Sequence, residues 1–288
     1  MRIRAPAKVN LYLRIVGKRR DGYHLLDTIM VPVSLYDEIE ITRPKMGKGG
    51  GMGKGSLTVT CDHPQVPRGR KNLAYQAASL LLGHKGIRDP VRIHIQKRIP
   101  VGGGLGGGSS DAAATLHGLN RLFRLGSGRS EILSLGASLG ADVPFFIYGH
   151  PARARGIGEK LEPLPVFPRL WMVILYPGFP VSTRWVYQNL VFKLTKPIEN
   201  IRINFSCEHP KKLRRLLVND LERVTIRRYP RIAFLKERLL QEGATGALMS
   251  GSGSSVFGIF TAGQRARKAF FRLRKEEGVQ AYLVRSLS

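Results

Sequence analysis

The segment Pro100-Val101-Gly102-Gly103-Gly104-Leu105-Gly106-Gly107-Gly108-Ser109-Ser110 crowds six glycines into eleven residues. Before it, Val91-Arg92-Ile93-His94-Ile95 alternates apolar and polar, the period of a half-buried strand. After it, Ala113, Leu116, Leu119 and Phe123 fall on one helical stripe. Ser109 and Ser110 stand where helix N-caps stand. A backbone without Cβ atoms can approach a bulky anion and adopt positive φ. The helix start adds unpaired N–H groups and partial positive charge. A strand, a glycine loop and a helix start together predict a phosphate cradle. A flexible linker would not be gripped between a strand and an amphipathic helix. The order of Lys and Ser/Thr excludes a Walker A loop. Gly102-x-Gly104-x-x-Gly107 meets the bare dinucleotide pattern, but no βαβ unit opens there and no acidic residue follows at the required distance.

The 288 residues, 43% of them hydrophobic, suffice for one large core or two ordinary ones. No apolar run approaches the roughly 20 residues of a membrane span, and the N-terminus reads as strand, not as a signal peptide. Cys61 and Cys207 form no metal-ligand spacing and fit reduced thiols in the cytoplasm. The formal net charge of +27 admits two readings. One is a polyanion partner such as nucleic acid. The other is a basic surface that steers anionic substrates. Lys and Arg are scattered, with a concentration at Arg265, Arg267, Lys268, Arg272, Arg274 and Lys275, and no interleaved aromatic signature of RNA recognition accompanies them. Nucleic acid binding is therefore expected to be weak and nonspecific.

Val9, Leu11, Leu13 and Ile15 alternate with Asn10, Tyr12 and Arg14, predicting an opening amphipathic strand. Asp37–Thr42 and Leu57–Cys61 also read as strands, linked by a basic glycine-rich connection over 44–55 that is expected to be exposed. Helices are predicted over Asn72–Leu82, from a Ser130 cap to near Gly140, over Pro230–Leu240 and over Gln264–Glu276. Strands are predicted over Trp171–Tyr176, Val256–Phe260 and Ala281–Val284. The Gly- and Pro-rich stretch 156–168 reads as a domain junction, which gives domains of 1–160 and 161–288. Strands and helices mix without regular βαβ alternation, predicting an α+β class.

Three further constellations carry polar chemistry. Ser250-Gly251-Ser252-Gly253-Ser254-Ser255 is a second glycine-rich turn, predicted between a helix and a strand, that can close with the first around a polyphosphate. Lys8 and Asn10 share one strand face. Asp142 stands among apolar neighbours in Leu139-Gly140-Ala141-Asp142-Val143-Pro144-Phe145-Phe146, so it must be bonded. It is either a helix cap or a carboxylate held beside a cation, ionised and able to accept a hydroxyl proton.

Taken in order, Pro6-Ala7-Lys8-Val9-Asn10-Leu11, the loop 100–110 and residues 246–258 resemble the three motifs of the GHMP kinase superfamily. Asp21-Gly22-Tyr23-His24, the Asp142 block, Gly156-x-Gly158-Glu159 and Asn219-Asp220-Leu221-Glu222 are similar to its branch that phosphorylates cytidine diphosphate methylerythritol in non-mevalonate isoprenoid biosynthesis. The resemblance runs from about Arg4 to about Phe260. It implies a two-lobed fold, the N-terminal lobe like ribosomal protein S5 domain 2 and the C-terminal lobe ferredoxin-like, with a substrate cleft between them. It implies ATP and Mg²⁺ as cofactors, with the metal ligands unassigned.

Residue by residue, the resemblance implies Lys8 and Asp142 as the catalytic pair. It implies Pro100, Val101, Gly102, Gly103, Gly104, Leu105, Gly106, Gly107, Gly108, Ser109 and Ser110 as the ATP phosphate loop, with Asn72 near the nucleotide. Asn10, Tyr23, His24, Thr183 and Tyr187 match positions that hold the cytidine end of the substrate, and a flat base with a donor–acceptor edge suits ring stacking and a His contact. Two other readings stay open. One is a kinase of the same superfamily acting on mevalonate or homoserine, and the other an RNA-binding protein on an S5-like fold.

Overall fold

Two long strands open the chain in the computed structural model, which describes residues 1–44, 53, 55–164, 167–190 and 210–287. They are β1 (Arg2–Lys18) and β2 (His24–Thr42), joined by a turn in which Gly22 has φ +89°. The alternation expected of β1 is only half realised. From Ala7 to Leu13 every residue is buried, so both faces are covered, and the polar Lys8 and Asn10 lie inside. Burial at such positions requires hydrogen-bond partners, and Asn10 and Thr28 supply them. Most of the connection 44–55, and Cys207, lie outside the described residues.

The described chain gathers into two compact units, each drawn from separated stretches. Residues 1–7, 36–101 and 106–149 make the first, and residues 8–35, 102–105 and those from 150 onward make the second. The first unit adds β3 (Leu57–Cys61), α1 (Leu73–His84), β4 (Val91–Gln96), α2 (Gly107–Leu122), α3 (Arg129–Leu139) and α4 (Val143–Tyr148). Val91, Ile93 and Ile95 are buried while Arg92, His94 and Gln96 are exposed, the predicted alternation. β4 runs antiparallel to the second half of β2, with Ile39 opposite Ile95, and parallel to β3. Helix α2 lies close on the strands. A Cβ at Gly118 would come 2.5 Å from both Ile3 Cδ1 and Ile41 Cδ1, so only glycine allows this approach.

In the second unit follow β5 (Ala152–Gly156), β6 (Lys160–Pro163), β7 (Trp171–Tyr176), α5 (Thr183–Gln188), α6 (Pro210–Leu216), β8 (Val218–Asn219), α7 (Glu222–Arg228), α8 (Arg231–Gln241), β9 (Gly246–Met249), β10 (Val256–Phe260), α9 (Gly263–Leu273) and β11 (Gln280–Arg285). One antiparallel sheet has the order β11-β7-β10-β9. With α8 before β9 and α9 before β11, this is the split βαβ arrangement of ferredoxin-like folds. Ile232, Leu235 and Leu239 of α8, and Ala266, Ala269 and Leu273 of α9, bury one helical stripe each against Val173, Leu175 and Phe260. β11 is tied onward by Arg285 N–H to Ser34 Oγ at 2.9 Å and Leu287 N–H to the Pro32 carbonyl at 2.8 Å. No helix among the described residues is long and apolar enough to cross a membrane.

Four local expectations change. Helix α2 is capped by Gly106 at φ +73°, which turns the chain so that Ser109 and Ser110 enter the first helical turns and cap nothing. Helix α3 starts after Gly128, and Ser130 lies inside it. Residues 152–163 form the β5–β6 hairpin, where Gly156 at φ +73° and the Glu159 carboxylate accepting the Ile157 N–H make the turn. The turn 250–255 joins strands β9 and β10, not a helix and a strand.

A buried ion cluster fixes the exit of β4 against the start of α2. Lys97 Nζ donates to Asp37 Oδ2 at 2.5 Å and to Asp111 Oδ2 at 2.8 Å. Asp37 Oδ1 accepts the backbone N–H of Arg98 at 2.6 Å and of Ile99 at 2.8 Å. A Cβ on Gly107 would lie 2.8 Å from Lys97 Nζ, so the glycine makes room for the ammonium beneath the helix. One cation serves two carboxylates, and Asp111 Oδ1 has no hydrogen-bond partner among the described residues. Burial, with the Asp37 charge adding to it against the pull of Lys97, pushes the Asp111 carboxyl up to about 7 from an ordinary 3.8. The folded state therefore favours protonated Asp111. That contribution is complete below about pH 4 and is lost as pH rises toward 7. Between pH 4 and 7 the wild type is expected to lose, relative to Asp111→Asn, on the order of 2 kcal/mol of stability. Urea denaturation of both proteins at pH 4.5, 6 and 7.5 checks this, and parallel pH dependence would contradict it.

Candidate active site

The glycine loop departs from β4 and returns as α2, with Gly102, Gly104 and Gly106 at φ +68°, +76° and +73°. In the second unit its four central carbonyls are all engaged by protein donors. Val181 N–H bonds Gly102 O at 3.1 Å, Ser255 N–H bonds Gly103 O at 3.1 Å, Ser250 Oγ donates to Gly104 O at 3.0 Å and Lys8 N–H bonds Leu105 O at 2.9 Å. The groups that would repel an anion are thus consumed. In the first unit, α2 begins without a side-chain cap and without an acidic residue in its first turn. The N–H groups of Gly107, Gly108 and Ser109 have no intrahelical acceptor and carry the positive end of the helix dipole.

The second glycine-rich turn meets the first within the second unit. A Cβ at Gly104 would lie 2.1 Å from the Ser250 carbonyl and 3.0 Å from that of Gly253, so the segments press backbone on backbone. The Asn219-Asp220-Leu221-Glu222 block braces this turn. Asn219 Nδ2 donates to Met249 O at 2.8 Å and Gly251 O at 2.7 Å, and Glu222 Oε1 accepts the Met249 N–H at 2.9 Å. Asp220 holds β1 instead, accepting from Arg14 Nη1 and from the Ile15 N–H, both at 2.9 Å.

Lys8 is 5% exposed. Its Nζ donates to Asn10 Oδ1 at 2.6 Å, so the two residues predicted to share a face do meet. Asn10 Nδ2 donates to Thr28 Oγ1 at 2.9 Å, and Thr28 Oγ1 donates to the Tyr12 carbonyl at 2.6 Å. The backbone of Gly251, at φ +55°, passes close enough that a Cβ there would contact both Lys8 Nζ and Asn10 Oδ1.

His24 and Tyr187, far apart in sequence, stack with ring centroids 5.2 Å apart and planes inclined by 28°. Partial burial, aided by the Lys18 charge, lowers the His24 pKa, which keeps the ring neutral near pH 7. Tyr23 is 60% exposed at the tip of the β1–β2 turn. Thr183, at the start of α5, shares a hydrogen bond with Ser252 at 2.8 Å. Lys8, Asn10, Tyr23, His24, Thr183 and Tyr187 therefore all belong to the second unit, with the central stretch of the glycine loop.

Asn72 and Asp142 belong to the first unit. Asn72 caps α1, its Oδ1 accepting the Ala74 N–H at 2.8 Å and its Nδ2 donating to Pro67 O at 2.9 Å. Asp142 stands at the N-cap position of α4 but makes no capping hydrogen bond, so the cap reading does not account for its carboxylate. Among the described residues no group of three or more His, Cys, Asp or Glu could hold a metal. Ser110 Oγ is buried without a hydrogen-bond partner among the described residues, a hard oxygen donor of the kind Mg²⁺ takes together with phosphates.

Thr28, Asp37 and Lys97 escape the sequence reading. Thr28 is one of several polar residues in β2, with no local pattern to mark it, and the Lys97 cluster joins residues 14 and 60 positions apart.

The GHMP kinases N-terminal domain matches residues 72–150, and the GHMP kinases C-terminal domain matches residues 204–279. The 4-diphosphocytidyl-2-C-methyl-D-erythritol kinase of Syntrophotalea carbinolica is 48% identical over 280 residues, covering 97% of this chain and 96% of its own. The protein of the same name from Citrifermentans bemidjiense is 47% identical, covering 100% of this chain and 99% of its own. A crystal structure of 4-(cytidine 5'-diphospho)-2C-methyl-D-erythritol kinase aligns with a TM-score of 0.80 at 38% identity, covering 100% of both chains. With both domains matched and relatives this similar over nearly the whole chain, the chain belongs to the GHMP kinase family.

Proposed function

We propose that this chain transfers the γ-phosphoryl group of ATP to the 2-hydroxyl of 4-diphosphocytidyl-2-C-methyl-D-erythritol, a step of non-mevalonate isoprenoid precursor biosynthesis. The observation that carries the reading is the His24 ring stacked on Tyr187 in the same unit as Lys8, in a chain 46–48% identical to relatives that bear this activity in their names. A neutral imidazole beside a phenol offers a ring surface and hydrogen-bonding edges to a pyrimidine. Tyr23 and Thr183 complete the cytidine contacts, and Asn10 holds the adjoining part of the substrate.

Phosphoryl transfer asks the protein mainly for position and electrostatics. The loop from Pro100 to Ser110 receives the ATP phosphates on its N–H groups, and Asn72 shapes the turn beside the nucleotide. Asp142 accepts the hydroxyl proton, and the Lys8 ammonium stabilises charge on the phosphoryl group in flight. Mg²⁺, with Ser110 among its ligands, would neutralise phosphate charge when bound. The protein works in the cytoplasm, and its partner is the small-molecule substrate.

A coupled ATP-consumption assay with the cytidyl substrate, mevalonate and homoserine tests the assignment. Turnover on the cytidyl substrate alone is expected, and preference for either other alcohol would replace the reading. Asp142→Asn is expected to lower kcat about 10²–10⁴-fold, the usual share of general-base catalysis, with both substrates still bound. Turnover within about twofold of wild type would remove Asp142 from that role. Gly106 holds φ +73°, where a β-branched residue is strained. Gly106→Val is expected to weaken ATP binding at least tenfold by calorimetry, and unchanged affinity in a folded variant would show that this position does not cradle phosphate. The net charge of +27 is expected to act as a steering field. With a Debye length of about 8 Å at physiological salt, catalytic efficiency falls moderately as salt rises. RNA retention in filter binding is expected to be weak, sequence-independent and abolished by salt. A selective complex that survives physiological salt would contradict this.

A further inference from the structure

We infer that Thr28 is a positioning residue for phosphoryl transfer, the one that sets the direction of the hydrogen-bond relay holding Lys8. This rests on the role given to Lys8 above. The relay is Lys8 Nζ to Asn10 Oδ1 at 2.6 Å, Asn10 Nδ2 to Thr28 Oγ1 at 2.9 Å, and Thr28 Oγ1 to the Tyr12 carbonyl at 2.6 Å. Its two ends have fixed polarity. An ammonium only donates and a carbonyl only accepts. Because the Tyr12 carbonyl takes the single Thr28 hydroxyl proton, Thr28 can meet Asn10 only as an acceptor. Asn10 must then turn its NH₂ toward Thr28 and its oxygen toward Lys8. The reverse amide orientation would set NH₂ against the ammonium and oxygen against an oxygen whose proton is already given away.

All three side chains are buried, with Lys8 5%, Asn10 2% and Thr28 2% exposed. An amide that loses its partner in such a place carries an unmet donor, whereas a fully joined chain polarises each bond in the same sense. Thr28 lies on β2, remote from the loop 100–110 in sequence, and acts on the reaction only through Asn10 and Lys8. Its hydroxyl fixes where the ammonium stands, which governs charge stabilisation in the transition state more than it governs ATP affinity.

Thr28→Val keeps the shape and β-branching and deletes the hydroxyl, while Thr28→Ser keeps the hydroxyl. In steady-state kinetics Thr28→Val is expected to lower kcat about ten- to a hundredfold, with KM for ATP within about twofold. Thr28→Ser is expected to retain kcat within about threefold. Equal loss in both variants, or a kcat within twofold of wild type in a folded Thr28→Val protein, would overturn the inference. Should Thr28→Val not fold, as judged by circular dichroism, Thr28→Cys takes its place. Its thiol is a weak donor and acceptor, and a kcat between those of the wild type and Asn10→Ala is expected. A kcat equal to wild type in that variant overturns the inference. NMR of the Asn10 side-chain amide gives a readout free of any substrate. Its protons are expected to exchange slowly in the wild type and Thr28→Ser, and at least tenfold faster in Thr28→Val or Thr28→Cys. Exchange unaffected by those variants would refute the relay. A wild type that phosphorylates none of the tested alcohols, with the exchange difference intact, would refute the proposed reaction and leave the relay standing.

Discussion

Backbone pressed on backbone at Gly104 is the contact from which the site is built. The Ser250 carbonyl occupies the place of a Cβ there, and three further carbonyls of the loop are bonded by Lys8, Val181 and Ser255. The Ser255 bond and the Gly104–Ser250 contact require the two glycine-rich segments to be in register. The β9–β10 turn is in turn held by Asn219 and Glu222, so these two residues bear on the loop at one remove. The glycines here are steric requirements, not reserves of flexibility.

The second recurring device is the buried cation supplied with more than one acceptor or with a bidentate one. Lys97 lies between Asp37 and Asp111, and Arg153 meets Asp27 through two bonds of 2.6 Å. Breaking such a group leaves an uncompensated charge and costs far more than forming it gains, so these clusters act by excluding alternative packings.

Much of this was legible beforehand, and the remainder was not for identifiable reasons. The alternation in Val91–Ile95, the strip Ala113–Leu119, the α8 and α9 stripes and the glycine loop each express one local period, which a sequence carries openly. Ser109, Ser110 and Ser130 looked like caps because composition favours Ser there, but Gly106, at φ +73°, and Gly128 hold those positions. The 250–255 turn was assigned the wrong preceding element because the short strand Gly246–Met249 has too little length to show a period. Lys8 and Asn10 on one face followed from β spacing. Thr28 and the Lys97 cluster depend on pairings between distant strands and helices, which no local pattern encodes. The stacking of His24 on Tyr187 belongs to the same class, although resemblance had already singled out both residues.

The second unit draws on residues 8–35 and also on the stretch from 150 onward, and Leu287 bonds back to Pro32. During synthesis on the ribosome, the N-terminal strands therefore emerge long before the segments that cover them. For most of translation, the buried polar groups of β1 lack the burial and backbone contacts that the later residues provide. A protein wired this way has no early vectorial folding of its second unit to rely on. Its nascent chain carries two long strands whose partners in the second unit come only after residue 150, and the dense positive charge of the chain keeps such chains apart by mutual repulsion.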